Sequence, residues 1–439
     1  MVPLAGALPA EGKSPVILNG ELEIDQGRIT YIGPTREDVG VARVIDAHGC
    51  AVIPGFVQAH VHLCQVLLRG LADDRPLLAW LKERIWPLEG AHTEDSLRTS
   101  ADLGLLEMSL AGTTTILDMG TVHHHDAVFE AAAASGMRVF SGKAMMDTGA
   151  DVPASLRETT AASLRESDAL CKRWDRSHDG RLRYAYAPRF ILSCSEELWR
   201  ALAERSREGA WIHTHVAEHP GEREAVFELL GKTDFDALRE YAIAGPRVVL
   251  AHAVQLTERE VQAVVTDHTR LVHCPSANLK LGSGIAPVWD FWRAGVQLAL
   301  GADGAPCNNN LDPWMEMRHA ALLAKVRSGT TALPAEAALR LATVEGAKAL
   351  GIDDEVGSLE VGKRADCVVV RIDGPHVEPG GDVYSRLAYA VTARDVEHVF
   401  ASGVPLVQNG EHTRIDREQV LADARREVKA LQSRAGIIA

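Results

Sequence analysis

Two histidines in the sequence have the spacing that a metal site needs. His60 and His62 end the apolar stretch PGFVQAHVH. A spacing of two on an extended chain points both imidazoles to the same side, and neutral imidazoles suit Zn²⁺ and Fe²⁺. An H-x-H pair alone is equally compatible with two surface histidines at a strand end, so the interpretation depends on further ligands elsewhere in the chain.

Further candidates follow three other apolar segments, each at the point where the segment ends. His215 ends WIHTH and is followed by Glu218, His252 follows RVVLA, and Asp303 follows LALGA. If these segments are strands of one barrel, their carboxyl ends meet in a ring. Solvated loop residues would not be expected to follow four strand ends in this way. The set therefore favours a metal site over a group of unrelated surface residues.

The elements that must position these residues alternate between strand and helix patterns from about residue 53 to about residue 304. The predicted strand cores are Ile53–Val57, Thr114–Leu117, Arg138–Gly142, Leu182–Ala187, Trp211–His215, Val248–Ala251, Arg270–His273 and Gln297–Leu300. Eight strand–helix units in series predict a closed (β/α)₈ TIM-type barrel. An open doubly wound sheet is the alternative, but no glycine-rich dinucleotide turn follows the first strand.

Both ends of the chain show strand and turn patterns instead. Val16–Ile45, Gly357–Val370 and Val396–Thr413 alternate apolar and polar residues around turn signals. We therefore expect a small β-sandwich built from both chain ends, followed by a charged helix over Arg417–Leu431. The predicted domains are residues 1–52 and 357–439 for the sandwich and final helix, and residues 53–356 for the barrel.

Composition excludes several classes of protein. The 439-residue chain has a net charge of −14 and no basic face, which argues against a nucleic-acid partner. Its seven cysteines are scattered and lack a C-x-x-C pair, which is typical of reduced thiols in the cytoplasm and excludes the cysteine-ligated zinc deaminases. The first thirty residues lack a secretion signal, and no apolar run has the length of a membrane span. We expect a cytoplasmic protein without a membrane partner.

The candidate residues stand in motifs that resemble the amidohydrolase superfamily. The resemblance is to the ATZ/TRZ-like branch, which contains guanine deaminase, the triazine hydrolases and, most similar here, the 5′-deoxyadenosine, methylthioadenosine and S-adenosylhomocysteine deaminases. It covers nearly the whole chain. The motifs are PGFVQAHVHL, HTHVAE, LAHAV, HCPSANLKLGSGIAPV, GADGAPCNNN and GSLEVGKRADCVVV.

The resemblance implies a site for one divalent metal ion, Zn²⁺ or alternatively Fe²⁺. The implied ligands are His60, His62, His215 and Asp303. Members of the superfamily with two metals commonly bridge them with a carboxylated lysine late in the barrel. Lys143 follows the third predicted strand, but its context, GKAMMD, is not the bridging pattern. We therefore predict a single metal.

The resemblance assigns roles to Glu218 and His252, and the chemistry gives one to Asp303. Glu218 matches the acid–base glutamate, His252 matches a histidine that contacts the reacting water or substrate oxygen, and Asp303 can accept a proton from water. A bound Zn²⁺ lowers the pKa of its water from about 15.7 toward about 7. Attack on an amino-bearing ring carbon charges the adjacent ring nitrogen, which Glu218 can protonate. Two carboxylates favour deamination over dechlorination, because ammonia must leave as the neutral molecule.

The substrate contacts leave two purines open. Trp80 matches a tryptophan that lines the pocket, with core packing as the alternative, and Glu89 matches a glutamate that contacts ribose in the nucleoside deaminases, with a carboxylate on a helix face as the alternative. Guanine deaminases also carry a glutamate at the position of Glu89. Gln65 and Arg189, the latter in the stretch PRF, match guanine deaminases instead. The prediction is a deaminase that acts on the 6-amino group of adenine nucleosides such as 5′-deoxyadenosine, with guanine deaminase as the alternative. A non-catalytic barrel would be favoured by loss of a ligand or of Glu218, and neither is missing.

Two further expectations concern assembly and an unassigned histidine run. Barrels of this kind often associate, so we expect a homo-oligomer that binds a small purine or purine nucleoside. His123–His125 follow the second predicted strand, and the sequence assigns them no role.

Overall fold

Eight parallel strands form the centre of the structure, a computed structural model that describes residues 1–9, 12–36, 40 and 43–437. The strands, numbered along the chain, are β1 (Gly20–Asp25), β2 (Arg28–Pro34), β3 (Cys50–Pro54), β4 (Phe56–Val61), β5 (Thr113–Met119), β6 (Arg138–Gly142), β7 (Ala144–Met145), β8 (Leu182–Pro188), β9 (Trp211–Val216), β10 (Val248–His252), β11 (Arg270–His273), β12 (Gln297–Leu300), β13 (Cys367–Arg371), β14 (Val396–Ala401), β15 (Val404–Gln408) and β16 (Glu411–His412).

The barrel strands β4, β5, β6, β8, β9, β10, β11 and β12 pair in chain order, and the short β7 pairs with β8. A parallel bridge between Val61 and Asp303 joins the first strand to the chain just after the last one. There the amide of Asp303 donates to the carbonyl of His60 at 3.0 Å. The predicted (β/α)₈ barrel is therefore confirmed. Strands β4, β5 and β6 are buried along their whole length, as parallel strands covered on both faces are.

Helices surround the strands and connect one to the next. The α-helices and helical turns are Leu77–Trp80, Trp86–Glu89, Glu94–Leu110, His125–Ser135, Thr160–Trp174, Ser177–Gly180, Glu196–Arg207, Pro220–Leu230, Asp234–Glu240, Glu258–Asp267, Pro275–Lys280, Val288–Arg293, Ala305–Asn308, Pro313–Ser328, Ala335–Leu341, Val344–Ala349, Val383–Tyr389 and Arg417–Ala435. The 3-10 segments are Leu63–Leu68, Ile191–Ser193 and Ala393–Asp395, and Leu81–Ile85 is π-helical.

Side-chain caps decide where several of these helices begin. Thr257 accepts from the Glu260 amide while the Glu260 side chain accepts from the Thr257 amide, which is a complete capping box. Thr93 accepts from the Ser96 amide in the same way and starts its helix at Glu94.

The first barrel strand differs from the prediction. The stretch Ile53–Val57 was expected to be one strand core, but the structure divides it at Gly55. Residues up to Pro54 belong to β3 in the antiparallel sheet, and the barrel strand begins at Phe56. A Cβ at Gly55 would lie 2.3 Å from the Thr114 hydroxyl oxygen, so this close approach requires glycine.

The two ends of the chain form a small sheet domain beside the barrel. Strands β16, β15, β14, β13 and β3 form an antiparallel sheet in that order, and β1 pairs with β2 as a separate hairpin. An apolar cluster joins the hairpin to the larger sheet through Ile29, Val369 and Phe400. The small domain is thus confirmed. Residues 37–39 and 41–42 of the predicted Val16–Ile45 segment lie outside the described residues.

The final helix, Arg417–Ala435, returns to the barrel and packs on Glu94–Leu110, where the Arg434 Nε donates to the Ala91 carbonyl at 2.8 Å. Residues 1–52, 53–356 and 357–439 remain our proposal for the division into domains. Within the ranges that the structure describes, no helix combines the length and the apolar character that crossing a bilayer requires.

Candidate active site

The four predicted metal ligands meet at the carboxyl ends of the barrel strands. The Nε2 atoms of His60 and His62 each lie 3.3 Å from Asp303 Oδ1. The Nε2 atom of His62 also lies 3.3 Å from that of His215. The ligands come from the ends of β4, β9 and β12, so the barrel alone brings together residues that are far apart in sequence.

Hydrogen-bond partners outside the set of ligands hold each imidazole in a fixed orientation. His62 Nδ1 donates to the Met119 carbonyl at 2.8 Å, and His215 Nδ1 donates to the Arg189 carbonyl at 2.7 Å. Because a carbonyl can only accept, the Nε2 atoms of these two histidines carry lone pairs toward the centre. His60 Nδ1 lies 2.7 Å from His213 Nε2.

The donor set fits a divalent cation. Burial lowers the pKa of His62 to about 3 and that of His215 well below its ordinary value, so both imidazoles are neutral. Burial alone raises the pKa of Asp303, but its contact with His60 leaves that pKa well below the usual range. Among the described residues, the buried Nε2 atom of His60 has no hydrogen-bond partner. Several lone pairs that converge without a donor are stabilised by a cation between them.

The backbone is strained where these strands end. Ala217, His252 and Asp303 have φ angles of 48°, 76° and 62°, in the left-handed region that non-glycine residues seldom adopt. Each residue follows or ends a barrel strand and turns the chain at the mouth. Such strain persists where the surrounding structure determines it and concentrates at functional sites.

Glu218 and His252 complete the polar side of the mouth. Their closest atoms, Glu218 Oε2 and His252 Nε2, are 3.5 Å apart, and His252 Nε2 lies 3.9 Å from Asp303 Oδ2. Burial and the neighbouring Asp303 carboxylate raise the pKa of Glu218 well above its ordinary value. A carboxyl group with a raised pKa can carry a proton at neutral pH, which suits a general acid.

A cleft opens onto this polar group. Its apolar lining residues are Leu77, Trp80, Leu81, Phe190 and Leu281, and its polar lining includes His62, His215, Glu218, His252 and Asp303. Trp80 is one of the apolar residues that line the cleft.

The other predicted substrate contacts form one buried network. Arg189 donates to both oxygens of Glu89, through Nη1 at 2.6 Å and Nη2 at 3.2 Å. Gln65 Nε2 donates to Glu89 Oε1 at 2.8 Å. Gln65 and Arg189 line the cleft, whereas Glu89 lies behind them. The structure thus brings the three residues together but does not place Glu89 at the cleft surface.

Two residues at this mouth were not assigned to the site from sequence. Asn278 Oδ1 accepts from His252 Nδ1 at 2.9 Å. Asp118 Oδ1 accepts from the amide of Leu63, directly after His62, at 2.7 Å. Asn278 stands in the motif SANLKL and Asp118 at the end of a strand, and these positions are the only sequence signals for them.

The histidine run His123–His125 does not join the site. His123 is exposed, and its Nε2 donates to the Ser155 carbonyl at 3.0 Å. His125 is buried and its Nε2 lies 2.9 Å from the Ser141 hydroxyl. None of the three lines the cleft.

Known proteins are similar to this chain in both sequence and architecture. The Amidohydrolase family profile matches residues 51–406. The chain is 37% identical over 427 residues to a 5-methylthioadenosine/S-adenosylhomocysteine deaminase of Moorella thermoacetica, a match that covers 96% of each chain. It is 38% identical over 420 residues to a 5′-deoxyadenosine deaminase of Methanosarcina acetivorans, which covers 95% of this chain and 94% of the relative.

A solved structure gives the same result for the fold. The structure of an adenosine deaminase from Xanthomonas campestris with bound zinc has a TM-score of 0.90 and 31% identity, and the match covers 96% of this chain and 95% of that one. The family profile spans the barrel and, in the small sheet domain, β13 and β14 with parts of β3 and β15, and the relatives match along nearly the full length. The chain therefore belongs to the amidohydrolase family.

Proposed function

We propose that this protein is a metal-dependent aminohydrolase that removes the 6-amino group of adenine nucleosides such as 5′-deoxyadenosine. The products are the inosine analogue and ammonia. The observation that carries the proposal is the placement of two buried carboxyl groups, Glu218 and Asp303, in the lining of a cleft that also presents apolar side chains. The full-length similarity to proteins named as nucleoside deaminases supports it.

The proposed ligands of a single metal ion are His60, His62, His215 and Asp303. Three neutral imidazoles and one carboxylate accept Zn²⁺ or Fe²⁺. When bound, such a cation lowers the pKa of water and thereby supplies a nucleophile at neutral pH. The zinc in the structure of the Xanthomonas relative supports the choice of Zn²⁺, and elemental analysis of protein purified without chelators tests it.

The side chains of this protein account for the proton transfers. Asp303 Oδ1 faces His60 and His62 and also accepts from the Gly304 amide at 2.8 Å, which leaves Oδ2 free to take a proton from the attacking water. Glu218 protonates the ring nitrogen next to the attacked carbon, where negative charge develops. The proton held by Asp303 then leaves with the amine as ammonia, and the remaining proton on the attacking oxygen returns to Glu218 as the carbon–oxygen double bond forms. His252, which also lines the cleft, contacts the incoming oxygen.

The lining of the cleft holds the ring. Trp80 and Phe190 offer aromatic surface to a purine, and Gln65 and Arg189 offer polar atoms at its edge. Glu89 holds these two polar side chains in place. In the structure, Arg189 and Gln65 bind the carboxylate oxygens of Glu89. A direct contact between Glu89 and ribose therefore stays a prediction.

Guanine deamination is the second candidate, and one observation favours it. Gln65 and Arg189 both reach the cleft, and Gln65 Oε1 is buried without a hydrogen-bond partner among the described residues. That oxygen can accept from an amino or ring N–H group of guanine. The two candidates differ in whether the cleft takes a nucleoside or a free base.

Steady-state release of ammonia from 5′-deoxyadenosine, methylthioadenosine, adenosine, guanine and 8-oxoguanine decides between the candidates. We expect turnover of the nucleosides with little or none of the bases. Turnover of guanine alone would reject the nucleoside proposal, and turnover of no substrate would reject both.

We also propose that the protein works in the cytoplasm as a homo-oligomer without a nucleic-acid partner. All seven cysteines are unpaired, which is the usual state in a reducing compartment. The net charge of −14 disfavours polyanions. Light scattering coupled to size-exclusion chromatography tests the assembly, and a single monomer peak at assay concentration would contradict it.

A further inference from the structure

The turn that presents Glu218 has an unusual set of hydrogen-bond partners. After β9 the chain passes through Ala217 with a φ of 48° and then reaches Glu218. The amide of Ala217 donates to Asp234 Oδ2, and the amide of Glu218 donates to Glu222 Oε2 at 3.1 Å. Two successive amides of a strained turn are thus each bound by a separate carboxylate. Neither carboxylate lines the cleft.

Both carboxylates are deeply buried. Glu222 and Asp234 are each 1% exposed. Asp234 Oδ1 also accepts from the Phe235 amide at 2.9 Å, and Arg223 Nη1 lies 3.7 Å from the same oxygen. Removing a carboxylate from water is unfavourable unless hydrogen bonds or opposite charge compensate it. A neutral acceptor could bind one amide without that cost, so two buried acids at one turn call for a reason beyond satisfying the backbone.

The carbonyl groups of the turn are fixed as well. The Ala253 amide donates to the Val216 carbonyl at 3.0 Å, and the Gln255 amide donates to the Ala217 carbonyl at 2.8 Å. Both donors follow β10, whose last residue is His252. The carbonyl groups of the turn are therefore bound by the chain after β10, and its amides are bound by the two carboxylates. This arrangement sets the position of the Glu218 side chain relative to His252.

We propose that Glu222 and Asp234 are positioning residues that hold the strained turn and thereby keep the Glu218 carboxyl group against His252 and Asp303. The inference rests on the proposed role of Glu218 in proton transfer. A purely structural role is the alternative, because Glu222 lies in the first turn of the helix Pro220–Leu230, where an acidic residue stabilises the helix in any case. The two roles differ in what they do to turnover.

The test compares variants that keep or lose the acceptor atoms. Glu222→Ala removes the acceptor of the Glu218 amide, and displacement of a proton-transfer group by about 1 Å can reduce the rate about 100-fold. We expect kcat on 5′-deoxyadenosine to fall about 100-fold, with KM within about threefold and the metal content unchanged. Glu222→Gln keeps an acceptor oxygen and should recover most of this loss.

Asp234→Asn gives an intermediate case. The carboxylate of Asp234 binds two amides, one with each oxygen. Asparagine has only one acceptor oxygen and places an NH₂ group against the other amide. We expect kcat to fall about tenfold.

Glu336→Ala is the matched control. Glu336 is also a buried glutamate that accepts a backbone amide, that of Ser14, at 3.1 Å, and it does not line the cleft. We expect this variant to lower the melting temperature and leave kcat within about twofold. If Glu222→Ala lowered kcat no more than Glu336→Ala does, the positioning role would be rejected.

A crystal structure of each variant separates this inference from the proposed function. If the wild type deaminates no nucleoside, the proposed function fails, but the positions of the atoms still decide the inference. We expect the Glu218 carboxyl group of Glu222→Ala to move more than 1 Å away from His252. An unmoved carboxyl group would overturn the proposal. If Glu222→Ala does not fold, Asp234→Asn supplies the same comparison of kcat and position.

Discussion

Two clusters of histidine and carboxylate side chains in this protein contain the same donor types. In the first, side-chain ligand atoms of His60, His215, His252 and Asp303 lie within 4.8 Å of one another. In the second, the same holds for His123, Glu158 and Glu166. In both clusters, residues lie at the ends of barrel strands or in the segments that follow those strands. Residue type and proximity alone do not separate the two.

The clusters differ in what already satisfies their polar atoms. The first is buried, and the Nε2 atoms of His60 and His252 have no hydrogen-bond partner among the described residues. The second holds the ammonium group of Lys143, whose Nζ lies 2.6 Å from Glu158 and 3.4 Å from Glu166. A cation is therefore already present in the second cluster. Donor atoms define a metal site when they are buried, convergent and left without a partner.

The largest expected effect comes from removing a ligand from the first cluster. Asp303→Asn should abolish metal retention and lower kcat/KM by more than about 1,000-fold, because it removes the carboxylate that faces His60 and His62 and with it the proton acceptor. Metal analysis and ammonia release measure the two effects. Glu158→Gln, in the second cluster, is the control and should retain the metal. Loss of metal from the control, or its retention by Asp303→Asn, would remove the contrast between the clusters.

Glu218→Gln tests the proton carrier without touching a ligand. Gln cannot donate a proton to the ring nitrogen, so turnover should fall about 100- to 10,000-fold while the metal stays bound. The exposed Glu224, on the following helix, gives the control Glu224→Gln. Near-normal turnover of Glu218→Gln would contradict the assigned role.

Lys143→Met tests the second cluster through the stability of the whole protein. Removing the buried ammonium group leaves the partly buried Glu158 without its partner, which should reduce the free energy of unfolding by about 1–3 kcal/mol in a denaturant titration. The metal content should stay unchanged. Lys82→Met is the matched control, since Lys82 pairs with Asp151 at 2.6 Å on the surface, and its loss should change stability by about 1 kcal/mol or less. Equal effects of both variants would show that the second cluster is not held by a buried ion pair.

The smallest expected effect concerns the orientation of His252. Asn278→Ala removes the acceptor of His252 Nδ1, and loss of such an orienting contact typically costs about 10- to 100-fold, here expected near the lower limit because His252 is not a proposed ligand. Asn278→Asp keeps an acceptor oxygen and should retain more activity. Steady-state kinetics with metal analysis distinguishes this loss from loss of the ion. A drop in metal content instead would indicate that His252 is itself a ligand.

The architecture and the convergence of the ligands could be predicted from sequence. Strand and helix periodicities are local, and a barrel brings strand ends together whatever the details of its loops. The position of Gly55 shows the limit of this reasoning, because apolar residues continue across it. Only the contact with Thr114, from another strand, divides the stretch between two sheets.

Contacts between individual side chains were harder to predict from the sequence. Asn278, Glu222 and Asp234 were not predicted to support the site, since each acts through a contact that depends on how a loop folds back. Glu89 illustrates the same limit. Its sequence position indicated a place near the substrate, but its bonds to Arg189 and Gln65 follow only from the three-dimensional packing.

The bridge between Val61 and Asp303 has a consequence for how the molecule opens. Strand β4 carries His60 and leads into His62, and Asp303 follows β12, so one ion would tie together segments about 240 residues apart in sequence. Removing that ion would weaken the junction between β4 and the chain after β12, and amides near Asp303 should exchange with solvent before those of β8, which carries no proposed ligand. Metal occupancy would then set the resistance of the whole fold to unfolding and proteolysis, in proportion to how tightly the ion is bound.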